Sequence, residues 1–129
     1  MPNKKNKNTT DLLDKESSEY SKIQSLNTLF ELALSHNQNS HIAARVILSC
    51  FDGESYHLCV RDLGFLSHAE YHAAMTVIRM RVEDGIEPQK LLNDYQKIEK
   101  LCNRWGDQLN INTEKTSEHQ NFNTQPFTP

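Results

Sequence analysis

The stretch SHAEYHAAMTVIRMRVEDG, residues 67–85, carries signals for both ends of one helix. Ser67 with Glu70 three residues later is a capping-box pattern, in which each side chain accepts a hydrogen bond from a backbone N–H group that the first turn leaves unpaired. Gly85 can adopt the left-handed backbone conformation that closes a helix. The pattern therefore predicts a helix of about four to five turns between these residues.

This helix carries apolar residues on two faces. At about 100° per residue, the larger stripe holds Tyr71, Ala74, Met75, Ile78 and Val82. The smaller stripe, on nearly the opposite side, holds Ala73, Val77 and Met80. A helix at a protein surface needs one apolar stripe, so we predict a central helix that packs on two sides. The alternative is that the smaller stripe binds a partner protein or a second copy of the chain.

Three further segments have helical periodicity. Residues 18–36 form an amphipathic pattern, residues 41–51 are apolar almost all the way round, and residues 88–106 carry one apolar line. Gly106 is the natural end of the last helix. Between residues 54 and 66 the period changes to two, which predicts either a short extended connector or a strand that pairs with another chain.

The composition divides the chain of 129 residues into three parts. Residues 1–18 and 107–129 are rich in Asn, Thr, Lys, Ser, Gln and Glu, which is typical of disordered tails because such segments bury too little apolar surface to offset chain ordering. Residues 19–106 are long enough for one modest core. We predict a mainly α fold, a small four-helix domain with one short extended connector between two disordered tails.

Charge and cysteine content limit the function classes. The formal net charge of −3 gives no global attraction to nucleic acid or to an anionic membrane. The sequence has neither an apolar run long enough to span a bilayer nor the apolar core of a signal peptide. Its three cysteines form no C-x-x-C pair, which argues against a disulfide framework and a zinc ribbon. We expect a cytoplasmic protein with no cofactor and no membrane contact.

The predicted last helix carries basic side chains on the face opposite its apolar line, namely Lys90, Lys97, Lys100 and Arg104. Such a stripe could follow a phosphate backbone or an acidic protein surface, although a solvated face is commoner. No Gly-rich phosphate loop and no interleaving of basic and aromatic residues accompanies it. These four side chains are candidates for contact with a partner protein or with nucleic acid.

Two histidines four residues apart, His68 and His72, have the spacing that places two imidazoles over one metal ion. His57 and Cys59 precede them and could complete a tetrahedral set. The order of residues differs from that of metalloproteases, however, because Glu70 stands two residues after the first histidine, and Glu70 also serves in the cap. Cys59 beside His57 also lacks a third group to orient a catalytic pair. We therefore assign no catalytic residue and no metal ligand.

Within residues 41–106, four groups of residues form a recognisable pattern of helical core positions. They are Ala43-Ala44-Arg45-Val46-Ile47-Leu48-Ser49 before Gly53, Asp62-Leu63 with Leu66 and Ser67, Ile78-Arg79-Met80, and Arg104-Trp105-Gly106. This pattern resembles a family of small uncharacterised domains in proteins from plasmids, phages and integrative elements of proteobacteria. The resemblance implies an accessory protein of a mobile element and no established activity.

These features predict a non-enzymatic protein that binds another, unidentified protein through the smaller stripe or through the basic last helix. A nucleic-acid-associated accessory factor that uses the four basic side chains is the alternative. A third hypothesis, a metal-dependent enzyme, rests on His68. The sequence leaves open whether the partner is a second copy of the chain.

Overall fold

A computed structural model of the chain describes residues 19–112, which form a mainly α domain, as predicted. The helices are α1, helical from residue 19 to residue 34, α2 (Ser40–Phe51), a 3-10 helix (Val60–Phe65), α3 (His68–Glu83), α4 (Pro88–Leu92) and α5 (Tyr95–Leu109). Residues 1–18 and 113–129, where tails are predicted, lie outside the described residues. Among residues 19–112, no helix is long and apolar enough to cross a membrane.

The helix at the centre of the fold is α2, against which α3, α4 and α5 pack. Its apolar side chains are almost all buried, namely Ile42, Ala43, Ala44, Val46, Ile47, Leu48 and Cys50. A helix that is apolar nearly all round is most stabilised when a neighbouring element covers each of its faces, because apolar surface is then removed from water. The prediction that residues 67–85 supply the central helix is therefore corrected, since α2 takes the central place, and α3 packs against α2 and the 3-10 helix.

The two predicted ends of α3 are confirmed. Ser67 Oγ accepts a hydrogen bond from the Glu70 N–H at 3.2 Å, and Glu70 Oε1 accepts one from the Ser67 N–H at 2.9 Å. Asn39, just before α2, donates to the same Glu70 oxygen at 3.3 Å and to the carbonyl oxygen of Phe65 at 3.1 Å. Gly85, which follows the helix, has a φ of 68°. The cap therefore also ties the start of α3 to the start of α2.

The predicted last helix is divided in two at Asn93. This residue has φ 51° and ψ 41°, a left-handed conformation that Asn adopts more easily than most residues. Asp94 then begins α5 by accepting a hydrogen bond from the Gln96 N–H at 3.1 Å. Contrary to prediction, α5 continues through Gly106 to Leu109. Because the Leu109 side chain is buried in the core, the folded unit extends beyond residue 106.

The extended connector after α2 pairs with the end of α5 in the same chain. Tyr56 forms an isolated antiparallel bridge with Asn110, and the Ile111 N–H donates to the carbonyl oxygen of Ser55 at 2.8 Å. The extended conformation ends where Val60 starts the 3-10 helix. The two-residue sequence period therefore marks a short connector, and its pairing is intramolecular.

Candidate functional site

The smaller apolar stripe of α3 faces the core. Ala73, Val77 and Met80 are at most 4% exposed. A small side chain such as that of Ala73 allows two helix axes to approach closely. Because these side chains are buried, the stripe has almost no exposed surface. The prediction that it binds a partner protein or a second copy is therefore corrected.

The larger stripe remains partly open to solvent. Val82 is 76% exposed and Tyr71 is 43% exposed, while Met75 and Ile78 are half-buried. These four side chains form one wall of an apolar groove of about 640 Å³. The opposite wall comes from the end of α2, the connector and the 3-10 helix, with Ser49, Cys50, Leu58, Val60, Leu63 and Gly64. We call this surface the α3 groove.

Two arginines also line the α3 groove, Arg61 on the 3-10 helix and Arg81 on α3, and both are exposed. Arg81 Nε donates to the carbonyl oxygen of Cys50 at 3.2 Å, which holds this side chain against the groove wall. The described residues that line the groove include no carboxylate. Since Cys50 and Leu63 are buried, the groove has an apolar floor and a positively charged rim.

Cys50 contributes a thiol to the wall of the groove. Burial raises the pKa of this thiol to about 11, although the charge of Arg81 and a hydrogen bond with Ser49 act in the opposite direction. A thiol with so high a pKa stays protonated at neutral pH and is a poor nucleophile. Cys50 therefore acts as a small apolar side chain in the groove.

The four basic side chains predicted as one contact stripe do not share a free surface. Lys90 lies on α4, and the other three lie on α5. Lys97 packs on α1, since its Nζ donates to Asn27 Oδ1 at 3.0 Å and lies 5.8 Å from the centre of the Phe30 ring. Lys90 and Lys100 are exposed. The remaining member, Arg104, has a structural role.

Arg104 holds the end of α1. Its guanidinium group donates to the carbonyl oxygens of Leu34 and Ser35. The neighbouring Trp105 donates from Nε1 to the carbonyl oxygen of Ala33 at 2.7 Å. These carbonyl groups lie at the C-terminal end of α1, where no intrahelical N–H group can reach them. Because Arg104 is engaged there, it is not available to a phosphate backbone.

The side chains considered as metal ligands are His57, Cys59, His68 and His72, and all four are exposed. Within residues 19–112, no three His, Cys, Asp or Glu side chains lie close enough together to hold a metal ion. The geometry of the described residues therefore brings none of these candidates into a metal site.

A second depression, of about 330 Å³, lies between α1 and the C-terminal half of α3. Its charged side chains pair with one another. Lys22 Nζ lies 2.8 Å from Asp84 Oδ2, and Arg79 Nε lies 3.2 Å from Glu83 Oε2. Because these charges satisfy each other, the depression is less suited to binding than the α3 groove.

The sequence reasoning missed the connector side of the groove, including Leu58, Leu63 and the two arginines at the rim. One signal was present within α3. The smaller stripe begins with alanine, which suits close contact with an apolar helix, whereas the larger stripe begins with Tyr71, whose hydroxyl group favours contact with water. The larger stripe also contains the fully buried Ala74, so the signal concerns its exposed end at Tyr71.

Comparison with known proteins places most of the described chain in a family. The model of a family of unknown function, DUF7673, matches residues 23–106, a range that contains the whole α3 groove. The resemblance to uncharacterised domains is confirmed by this match. No curated protein matches the chain, and no solved structure matches it.

Proposed function

The chain belongs to DUF7673, a family of unknown function, and we propose that it acts by binding another protein in the α3 groove. The observation that carries this proposal is the open apolar stripe of α3. Tyr71 and Val82 are exposed although α3 is capped and packed on α2. Contiguous exposed apolar area on a rigid element is typical of interaction sites.

The groups in the groove favour binding over catalysis. Its described lining residues include no histidine and no carboxylate that could act as a general base. Ser49 Oγ donates to the carbonyl oxygen of Val46 at 3.0 Å, and the Cys50 thiol is held protonated by burial. Ser49 and Cys50 therefore have no base among the described lining residues that could activate them as nucleophiles. What the groove provides for a ligand is mainly apolar contact area.

The proposed partner is a protein of the host or of a mobile element. This context rests on the resemblance of residues 41–106 to accessory domains of plasmids, phages and integrative elements. Binding by such a small helical domain would block or recruit the partner without changing it chemically.

Selection from a library of phage-displayed random peptides tests the proposal. The full chain is the bait, and the peptides are about 15 residues long, which allows about four helical turns. The groove variant carries Tyr71→Gln and Val82→Gln, which remove apolar area without adding charge. We expect peptides with several apolar residues that bind the wild-type chain at least about tenfold more tightly than the groove variant.

The matched control is Tyr20→Gln, the same substitution at an exposed tyrosine of α1 that does not line the groove. It should bind the selected peptides like the wild type. Thermal unfolding followed by circular dichroism establishes that all variants are folded. The proposed function is overturned if no selected peptide distinguishes the wild-type chain from the groove variant.

A further inference from the structure

Resting on the proposed function, we infer that the partner segment is an amphipathic helix with carboxylates at the border of its apolar face, which Arg61 and Arg81 bind. The apolar floor of the α3 groove receives the apolar face of this helix. Arg61 lies on the 3-10 helix, and Arg81, which comes from α3, is held against the Cys50 carbonyl group at the end of α2.

The dimensions of the groove suit a helix. Tyr71 and Val82 lie at the two ends of the open stripe, and at 1.5 Å per residue the stripe is about 16 Å long. This length equals about three turns of a bound helix. Short amphipathic helices bind apolar grooves through side chains spaced three, four and seven residues apart. The groove volume of about 640 Å³ provides room for several such side chains.

Both rim arginines have guanidinium N–H groups that no described residue accepts a hydrogen bond from. The Arg61 side chain makes no hydrogen bond or ion pair with another described residue. Arg81 uses Nε for the Cys50 carbonyl oxygen, which leaves its Nη atoms without a partner among residues 19–112. A guanidinium group binds a carboxylate through paired N–H groups, so these free groups match an acidic border on the partner.

The carboxylates closest in sequence to Arg81 cannot neutralise the rim, because they are engaged elsewhere. Glu83 pairs with Arg79, and Asp84 pairs with Lys22. At the other end of α3, Glu70 accepts hydrogen bonds from Ser67 and Asn39. These three carboxylates therefore do not neutralise the rim.

The same charges argue against a second copy as the occupant. In a symmetric dimer, the same surface patch lies on both sides of the contact. Joining two α3 grooves would bring Arg61 and Arg81 of each copy against a surface whose described lining residues include no carboxylate. Like charges at an interface oppose binding, whereas a partner with acidic borders complements the rim.

The test repeats the peptide selection on a rim variant, Arg61→Glu with Arg81→Glu. On the wild-type chain we expect apolar peptides bordered by Asp and Glu, and on the rim variant apolar peptides bordered by Lys and Arg. A synthetic peptide of the acidic class should bind the rim variant about 10- to 30-fold more weakly. The control is Arg79→Glu, an exposed arginine outside the groove, which should change this affinity less than about threefold.

The results separate the inference from the proposed function. If peptides require Tyr71 and Val82 but show no acidic borders, or ignore the charge reversal, the inference is wrong and the proposed function stands. If no peptide requires the groove, the proposed function is wrong, and the inference that rests on it is wrong as well. A photo-crosslinking residue at Val82 identifies the occupant. Crosslinking to the acidic peptide supports the inference, and crosslinking to a second copy or within the chain, with the peptide present, overturns it.

Discussion

The same valine-to-alanine substitution, made on each of the two stripes of α3, should lower the free energy of unfolding by different amounts. Val77 is 0% exposed and Val82 is 76% exposed. Changing valine to alanine removes two carbon atoms, each worth about 0.8 kcal/mol when buried, and at a buried site the remaining cavity adds to the loss. Val77→Ala should therefore be about 2–3 kcal/mol less stable than Val82→Ala. The higher helix propensity of alanine, about 0.5 kcal/mol, is common to both variants and cancels in the comparison.

Urea unfolding followed by circular dichroism measures this difference. We expect a lower midpoint for Val77→Ala with an unchanged m value, and a midpoint for Val82→Ala close to that of the wild type. In thermal unfolding, the two variants should differ by about 10–20 °C for a domain of this size. Equal destabilisation of the two variants, or a larger loss for Val82→Ala, would mean that the larger stripe is core. The α3 groove would then not be a free surface.

Two further substitutions test other parts of the structure. Arg104→Met should lower the free energy of unfolding by about 2 kcal/mol, because the carbonyl groups at the end of α1 lose a charged donor, whereas Lys100→Met should change it by less than about 0.5 kcal/mol in the same urea assay. Equal losses would contradict the structural role of Arg104. Because burial raises the pKa of Cys50 from 9.0 to about 11, its contribution to stability is full below pH 9 and is lost as the pH rises to about 11. Cys50→Ala should therefore lose less stability than the wild type over this pH range, and equal losses would contradict the burial of the thiol.

Features that depend on neighbouring residues in sequence were predictable. The capping box at Ser67 and Glu70 and the left-handed Gly85 were both found as expected, since each interaction is complete within one or two helical turns. The mainly α class followed from helical periodicity in the same way. The sequence did not show that Asn39 also uses Glu70, because that contact joins residues far apart in the chain.

The roles of the two stripes on α3 could not be predicted from periodicity. A stripe records that apolar residues share a face, but it does not record which neighbour covers that face. The deciding factor was the packing of neighbouring elements, which buries Ala73 and Val77 and leaves Tyr71 and Val82 exposed. The groove also needs Leu58 and Leu63, and their position depends on the path of the connector across the helices.

Charge patterns were misleading for a similar reason. Lys90 and Arg104 align on one face only if residues 88–106 form a single helix, and the left-handed Asn93 breaks that register. Even within α5, the side chain of Arg104 turns to the end of α1. A basic residue on a helix face is available to a partner only if no unpaired carbonyl group lies within its reach.

The core residues and the groove residues of α3 are different side chains, so substitutions in the groove can change which partner is bound without changing the fold. Val77 and its neighbours are part of the core, whereas Tyr71 and Val82 contribute to the groove from exposed positions. Changes at exposed positions typically alter stability by about 0.5 kcal/mol or less. The groove can therefore be rebuilt for a different apolar segment, or for a different charge at its borders, while the fold stays the same. A peptide preference that follows Arg61 with no change in unfolding free energy would show this separation directly.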